Sequence, residues 1–195
     1  MADMEKAAAD EGIPLWKAVM EEDMKERSVS MQETTEKMRE RYHAMKHADE
    51  GYEENSKSFS GLSGGDGAKM HRLVREGDAV SGGFIGMVIT RALKMGESNA
   101  CMKRIVAAPT AGACGVVPAV FLTYEQFYQI PERTMIEGLF MAAGAGQVIA
   151  HRASISGAQG GCQAEVGTAS AMCAAALTSI RGGSNEQILS AGAFA

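Results

Sequence analysis

The chain has 195 residues, enough for one well-buried core or for a core with a smaller appendage. An apolar fraction of 46% and a charged fraction of 22% are those of a globular protein, and they exclude a disordered or collagen-like chain. The formal net charge of −5 leaves no electrostatic footprint for nucleic acid or for an anionic membrane.

The N-terminus, MADMEKAAADEG, lacks a basic region followed by an apolar core, so no secretory signal is expected. Residues 1–60 hold 15 of the 24 acidic groups and nine of the 19 basic ones. They read as an N-terminal amphipathic helical segment. Trp16, Val19, Met20 and Met24 recur at helical spacing among Lys17, Glu21, Glu22 and Lys25, and Met38, Tyr42 and Met45 share a face farther on. The polar stretch 51–60 reads as the connection to the rest. Four glycines in GLSGGDG (61–67) require a loop, with Asp66 placed to cap a helix over 68–75.

From Ser81 the texture changes to long runs of Ala, Gly, Met and Val. The spacing predicts helices over 84–97, 116–129, 133–150, 164–181 and 185–194, with Pro131 or Glu132 opening the third and Gly182-Gly183 closing the fourth. Alternating β-branched residues are scarce, so no strand is demanded. The longest uncharged stretch, Ile105–Tyr124, contains Pro109 and Pro118 and is a poor membrane span. The expected fold is all-α: a compact bundle of apolar, Ala/Gly-rich helices with small residues at their crossings, covered by the amphipathic N-terminal helices or by another chain. Residues 61–195 form the expected catalytic core.

Three loops between apolar helices are rich in Gly, Ser and Thr: Ser60–Asp66, Ala107–Gly115 and Ser154–Glu165. Each leads into a helix N-terminus, whose free N–H groups favour an anion such as a carboxylate, although glycines at helix ends are also ordinary turn chemistry. Cys162 ends the third loop, just before a helix expected from about Ala164. A thiolate there is favoured by the helix dipole and suits a metal ligand or nucleophile; a small buried hydrophobe is the equal alternative on position alone.

The four cysteines, at 101, 114, 162 and 173, show neither CxxC spacing nor disulfide-scaffold density, which points to reduced thiols and a cytoplasmic protein. A cubane cluster needs sulfurs within roughly 6–7 Å of one another. Cys162 and Cys173, 11 residues apart on one helix, would stand about 16 Å apart. Cys173 and Cys101 therefore read as packing, while Cys114 lies in a loop from which it could approach Cys162. That leaves the chain short of ligands. His43 and His47 have the i,i+4 spacing of a metal pair but no arranged partners, and His71 reads as a surface residue. His151 ends an apolar helix, where it could act as an acid or base or simply complement the helix C-terminus.

Taken together, GLSGGDGAKM, IVAAPTAGACGVVPAV, ASISGAQGGCQAEVGTASAM and RGGSNEQIL resemble, in order and spacing, the α chain or α domain of the iron–sulfur-dependent L-serine dehydratases over about residues 12–195. The resemblance implies a [4Fe–4S] cluster held by three cysteines with one iron open. Its first ligand falls on Cys162, in Gly161-Cys162-Gln163, and the others lie in a segment beyond Ala195. It thus implies a C-terminally truncated chain, inactive alone, whose Ser154–Cys162 loop is mobile without the cluster. Arg152 and Gln159 depart from the Asn and the acidic residue common at their positions.

The activity implied is that of an L-serine ammonia-lyase of amino-acid catabolism and gluconeogenesis. L-serine goes to pyruvate and ammonia, the open iron making hydroxide a tolerable leaving group. The implied partner is a β chain or β domain that carries the base, within an oligomer. Ser63, Thr110 and Ser156 are the candidates for gripping the substrate carboxylate, and His151 is a weak candidate for catalysis. Two other classes compete. A pyridoxal-phosphate lyase would use Lys69 or Lys103 but needs an α/β scaffold. A helical interaction module would use the apolar helices as its surface.

Overall fold

A computed structural model describes residues 2–195. Ten α-helices and one 3-10 turn are present, with no strand among the described residues, as expected of an all-α chain. Two compact units divide the chain: one is the stretch through Tyr42 together with Pro131–Ala195, the other is His43–Ile130.

The first unit begins with α1 (Ala2–Glu11), α2 (Leu15–Arg27) and the first half of α3 (Met31–Glu50). Its centre is α7 (Glu132–Arg152), against which α2 and α9 (Cys162–Ile180) pack, with α10 (Asn185–Phe194) against α9. Between α7 and α9 lies a four-residue helix, α8 (Gly157–Gly160), absent from the sequence-based expectation. Small residues set these crossings. A Cβ on Gly144 of α7 would lie 2.5 Å from Val19 Cγ2 on α2, and one on Gly146 would lie 2.9 Å from Met172 Sδ on α9. Glycine lets the backbones approach until those side chains fill the space, and Met135, Met141, Ala142, Ala169 and Ala176 are buried there. A capping box closes the start of α10: Ser184 Oγ accepts from Gln187 N–H, and the Gln187 side chain accepts from Ser184 N–H.

The second unit holds the end of α3, then α4 (Asp66–Glu76), α5 (Gly82–Ala100), the 3-10 turn Ala111–Ala113, and α6 (Val116–Tyr128). Here α5 packs between α4 and α6. Arg91 ties three segments together, donating to Asp49 Oδ2 at 3.0 Å, Thr123 Oγ1 at 3.0 Å and Gln126 Oε1 at 2.8 Å. The helices expected over 84–97, 133–150 and 164–181 are each present, extended by two or three residues at one or both ends. No described helix is long and apolar enough to cross a membrane.

Candidate functional site

In the second unit, the loop 60–66 is anchored by contacts that no local pattern announces. Glu97, the single acidic residue of α5 and 8% exposed, reaches the N-terminus of α4. Its Oε1 accepts from the Asp66 N–H at 2.5 Å and its Oε2 from the Gly67 N–H at 3.2 Å. The Tyr52 hydroxyl donates to the same Oε2 at 2.5 Å. Burial, reinforced by that hydrogen bond and the Glu97 charge, pushes the Tyr52 phenol up to about 12.

Asp66 therefore does not cap α4. The N-cap is Gly65, at φ +89°, and Asp66 is the first helical residue, its carboxyl held below the usual range by Lys69 at 2.8 Å. The N–H groups expected to stand open for an anion are occupied by the chain's own carboxylate. Ser63 is half-buried; its N–H donates to Ser58 Oγ at 3.1 Å and its carbonyl accepts from Ser58 N–H at 2.9 Å. The bend depends on Gly64, at φ +128°, where a Cβ would run into the Ser56 carbonyl.

Loop 107–115 is attached to the end of α5 by Asn99, whose Nδ2 donates to Ala111 O at 3.1 Å. Thr110 is half-buried, and its carbonyl accepts from Ala113 N–H at 3.3 Å. Cys114 is 2% exposed, its Sγ 3.8 Å from the Met95 carbonyl, and burial pushes its thiol up.

The third loop belongs to the first unit. Ser154 Oγ donates to Gln159 Oε1 at 2.9 Å and accepts from Ser156 N–H at 3.2 Å, closing a small polar turn ahead of α8. Ser156 is half-buried at the N-terminal edge of α8. Gly161, at φ +75°, then reverses the chain into α9. Cys162 is exposed at the first position of α9, two residues earlier than expected, and no side chain caps that helix end. Ser156 and Cys162 thus share one loop, while Ser63 and Thr110 lie in the other unit. His151 is exposed in the last turn of α7.

The other candidates fall away on their surroundings. Cys173 is buried in the same helix as Cys162, its thiol pushed up to about 12, and Cys101 is half-buried. His47 is exposed and His43 half-buried; for His71, burial followed by Lys94 and Arg75 pulls the imidazole below its usual value. Lys69 is paired with Asp66 and Lys103 with Glu53 at 2.9 Å, so neither stands ready as a Schiff-base amine. Among the described residues, no group of three His, Cys, Asp or Glu side chains is disposed to hold a metal ion. Of the four cysteines, Cys162 is the exposed one, at a helix start that no side chain caps.

The two units are each all-α, with glycine-rich loops at helix ends. Compared with known proteins, residues 10–195 match the family described as serine dehydratase alpha chain. The probable L-serine dehydratase alpha chain of Bacillus subtilis is 45% identical over 130 residues, which cover 67% of this chain and 43% of that protein. The L-serine dehydratase alpha chain of Peptoniphilus asaccharolyticus is 34% identical over 183 residues, 93% of this chain and 63% of that one. L-serine dehydratase 1 of Escherichia coli is 50% identical over 98 residues, half of this chain and 22% of that protein. The chain belongs to the serine dehydratase alpha chain family. It spans less than two thirds of the length of each of these relatives.

Proposed function

We propose that the chain is the catalytic α part of an iron–sulfur L-serine dehydratase, converting L-serine to pyruvate and ammonia, with residues 61–195 as the catalytic portion. The observation that carries the reading is the exposed Cys162 thiol at the uncapped start of α9, held by the left-handed Gly161. The relatives named L-serine dehydratase support the substrate assignment.

Cys162 would then be one of three cysteine ligands to a [4Fe–4S] cluster. When bound, the cluster supplies Lewis acidity that makes the β-hydroxyl a tolerable leaving group. The chain's own residues bind and orient. The Ser156 hydroxyl, on the loop that leads to Cys162, holds the serine carboxylate, and Ser63 and Thr110 are the carboxylate candidates of the second unit taken by itself; loss of the α-proton and of the β-hydroxyl as water yields aminoacrylate. Its imine tautomer takes up water and releases ammonia and pyruvate. His151, exposed in the last turn of α7, is this chain's candidate for carrying a proton, and the main base belongs to a β chain or β domain. The exposed side chains Ile85, Ile89 and Leu93, one turn apart on α5, support such a partner. On this reading residues 1–195 alone are inactive, and the protein works in the cytoplasm as an oligomer.

Anaerobic reconstitution of the full-length enzyme with iron and sulfide tests the assignment. The expected result is broad visible iron–sulfur charge-transfer absorption and serine dehydration, both lost in Cys162→Ala. A band undiminished by that substitution, or an aldimine band with pyridoxal phosphate, overturns it.

A further inference from the structure

The C-terminal half of α5 meets both glycine-rich loops of the second unit. On one side the start of α4 lies hard against it: a Cβ on Gly67 would stand 3.0 Å from Lys94 N and 2.7 Å from its Cγ. On the other side the chain entering α6 does the same, a Cβ on Gly115 falling 2.8 Å from the Ala92 carbonyl oxygen. A side chain at either position would force the backbones apart, so glycine lets both loops rest on one helix.

Polar contacts then fix where each loop sits. The Glu97 carboxylate takes the N–H groups of Asp66 and Gly67 and so holds the end of the loop that carries Ser63. That carboxylate is itself held by the Tyr52 hydroxyl, and Lys94 Nζ lies 5.3 Å from the centre of the Tyr52 ring. Two residues on, Asn99 Nδ2 donates to the Ala111 carbonyl at 3.1 Å, next to Thr110, and Cys114 Sγ lies 3.8 Å from the Met95 carbonyl. Burying a carboxylate costs free energy that an apolar residue at 97 would not. What Glu97 adds over such a residue is a defined place for the loop.

We infer that Glu97 and Asn99 are positioning residues for substrate binding, setting the Ser63 and Thr110 loops from one helix end. The inference rests on the proposed reading of these two hydroxyls as carboxylate candidates. Glu97 and Asn99 act through the loops they hold and do not themselves touch the substrate. The carboxylate takes no part in the elimination, so its grip is the same in the ground and transition states. Loosening either loop therefore raises KM and leaves kcat in place.

The test compares Glu97→Gln, Asn99→Ala and Asn99→Asp in the reconstituted full-length enzyme. Glutamine keeps one acceptor at 97, and Asn99 is half-buried, so all three keep the fold. Amide hydrogen exchange is expected to rise at residues 58–67 in Glu97→Gln alone and at 110–115 in the Asn99 variants alone. The KM for serine is nonetheless expected to rise in all three, by about three- to tenfold, the equivalent of one hydrogen bond, with kcat and the visible cluster band near wild type. Asn99→Asp, which sets a carboxylate against the Ala111 carbonyl at unchanged size, is expected to exceed Asn99→Ala. Loops that loosen without a change in KM, a KM rise confined to one of the two positions, or a joint fall of kcat and the band each overturn the inference while the serine assignment stands. A wild-type enzyme with neither cluster band nor serine turnover overturns that assignment and this inference with it.

Discussion

Glu97 is a buried carboxylate on one helix that closes the N-terminus of another, and removing it has a calculable cost. Truncation to alanine leaves three donors without their acceptor: the N–H of Asp66, the N–H of Gly67 and the hydroxyl of Tyr52. Gly67 is buried, so its N–H carries most of a desolvation penalty of about 1–3 kcal/mol. Asp66 is exposed and Tyr52 half-buried, so both turn to water and add only a fraction each. Loss of a helix cap of this kind costs about 1 kcal/mol. Relief of the carboxylate's own desolvation offsets part of the sum, leaving Glu97→Ala destabilised by about 2–3 kcal/mol. Glu97→Gln keeps one carbonyl acceptor and turns an NH2 group toward the other donors, so about half of that loss is expected. Urea denaturation gives the two values, and amide hydrogen exchange at Asp66 and Gly67 reports the site directly, rising in the alanine variant. A Glu97→Ala protein within about 0.5 kcal/mol of wild type refutes the reasoning, because that is the range of an inconsequential surface change. So does a glutamine variant as damaged as the alanine one.

Folding raises the Tyr52 pKa from 10.0 to about 12, so the stability contributed by its protonated phenol is complete below pH 10 and is lost as pH rises through about 12. Unfolding midpoints measured across that window should fall more steeply in wild type than in Tyr52→Phe. Gly144→Ala gains helix propensity but drives a methyl to 2.5 Å from Val19 Cγ2, and a β-branched side chain in a helix has no second rotamer to yield into. A net loss of about 1–2 kcal/mol is expected from overpacking, read by thermal denaturation, whereas a stabilised variant would mean that α2 shifts freely on α7. Under native, mildly alkaline conditions iodoacetamide should modify Cys162 first and Cys101 more slowly. Cys114 and Cys173, buried and with raised thiol pKa values, should react only in denaturant, and peptide mass spectrometry resolves the order.

What the sequence made legible follows the range of the interactions involved. Helices α5, α7 and α9 are long apolar runs bounded by Gly or Pro, and local chemistry suffices to place them. Their ends slip by two or three residues because the first and last turns are decided by neighbours. Cys162 at a helix start was readable for the same reason, from Gly160-Gly161 just ahead of it. Asp66 shows where local reading fails. Its position before an apolar stretch is a good capping signal, yet a carboxylate 31 residues away takes the N–H groups it would have taken, and Asp66 turns to Lys69 instead. The signal available was compositional: the lone acid of α5 has to be paired or hydrogen-bonded where that helix is buried. Helix α8 escaped for a different reason, since Gly157-Ala158-Gln159-Gly160 has no propensity to mark it, and its turn is held by Ser154 and by backbone bonds to Ser156. The loop carrying Cys162 is therefore shaped by polar contacts within six residues, while the loop carrying Ser63 adds to its local bonds with Ser58 a partner on a distant helix, Glu97, at the Asp66–Gly67 end. Substitutions that disturb Glu97 should loosen Ser63 and leave Cys162 unmoved.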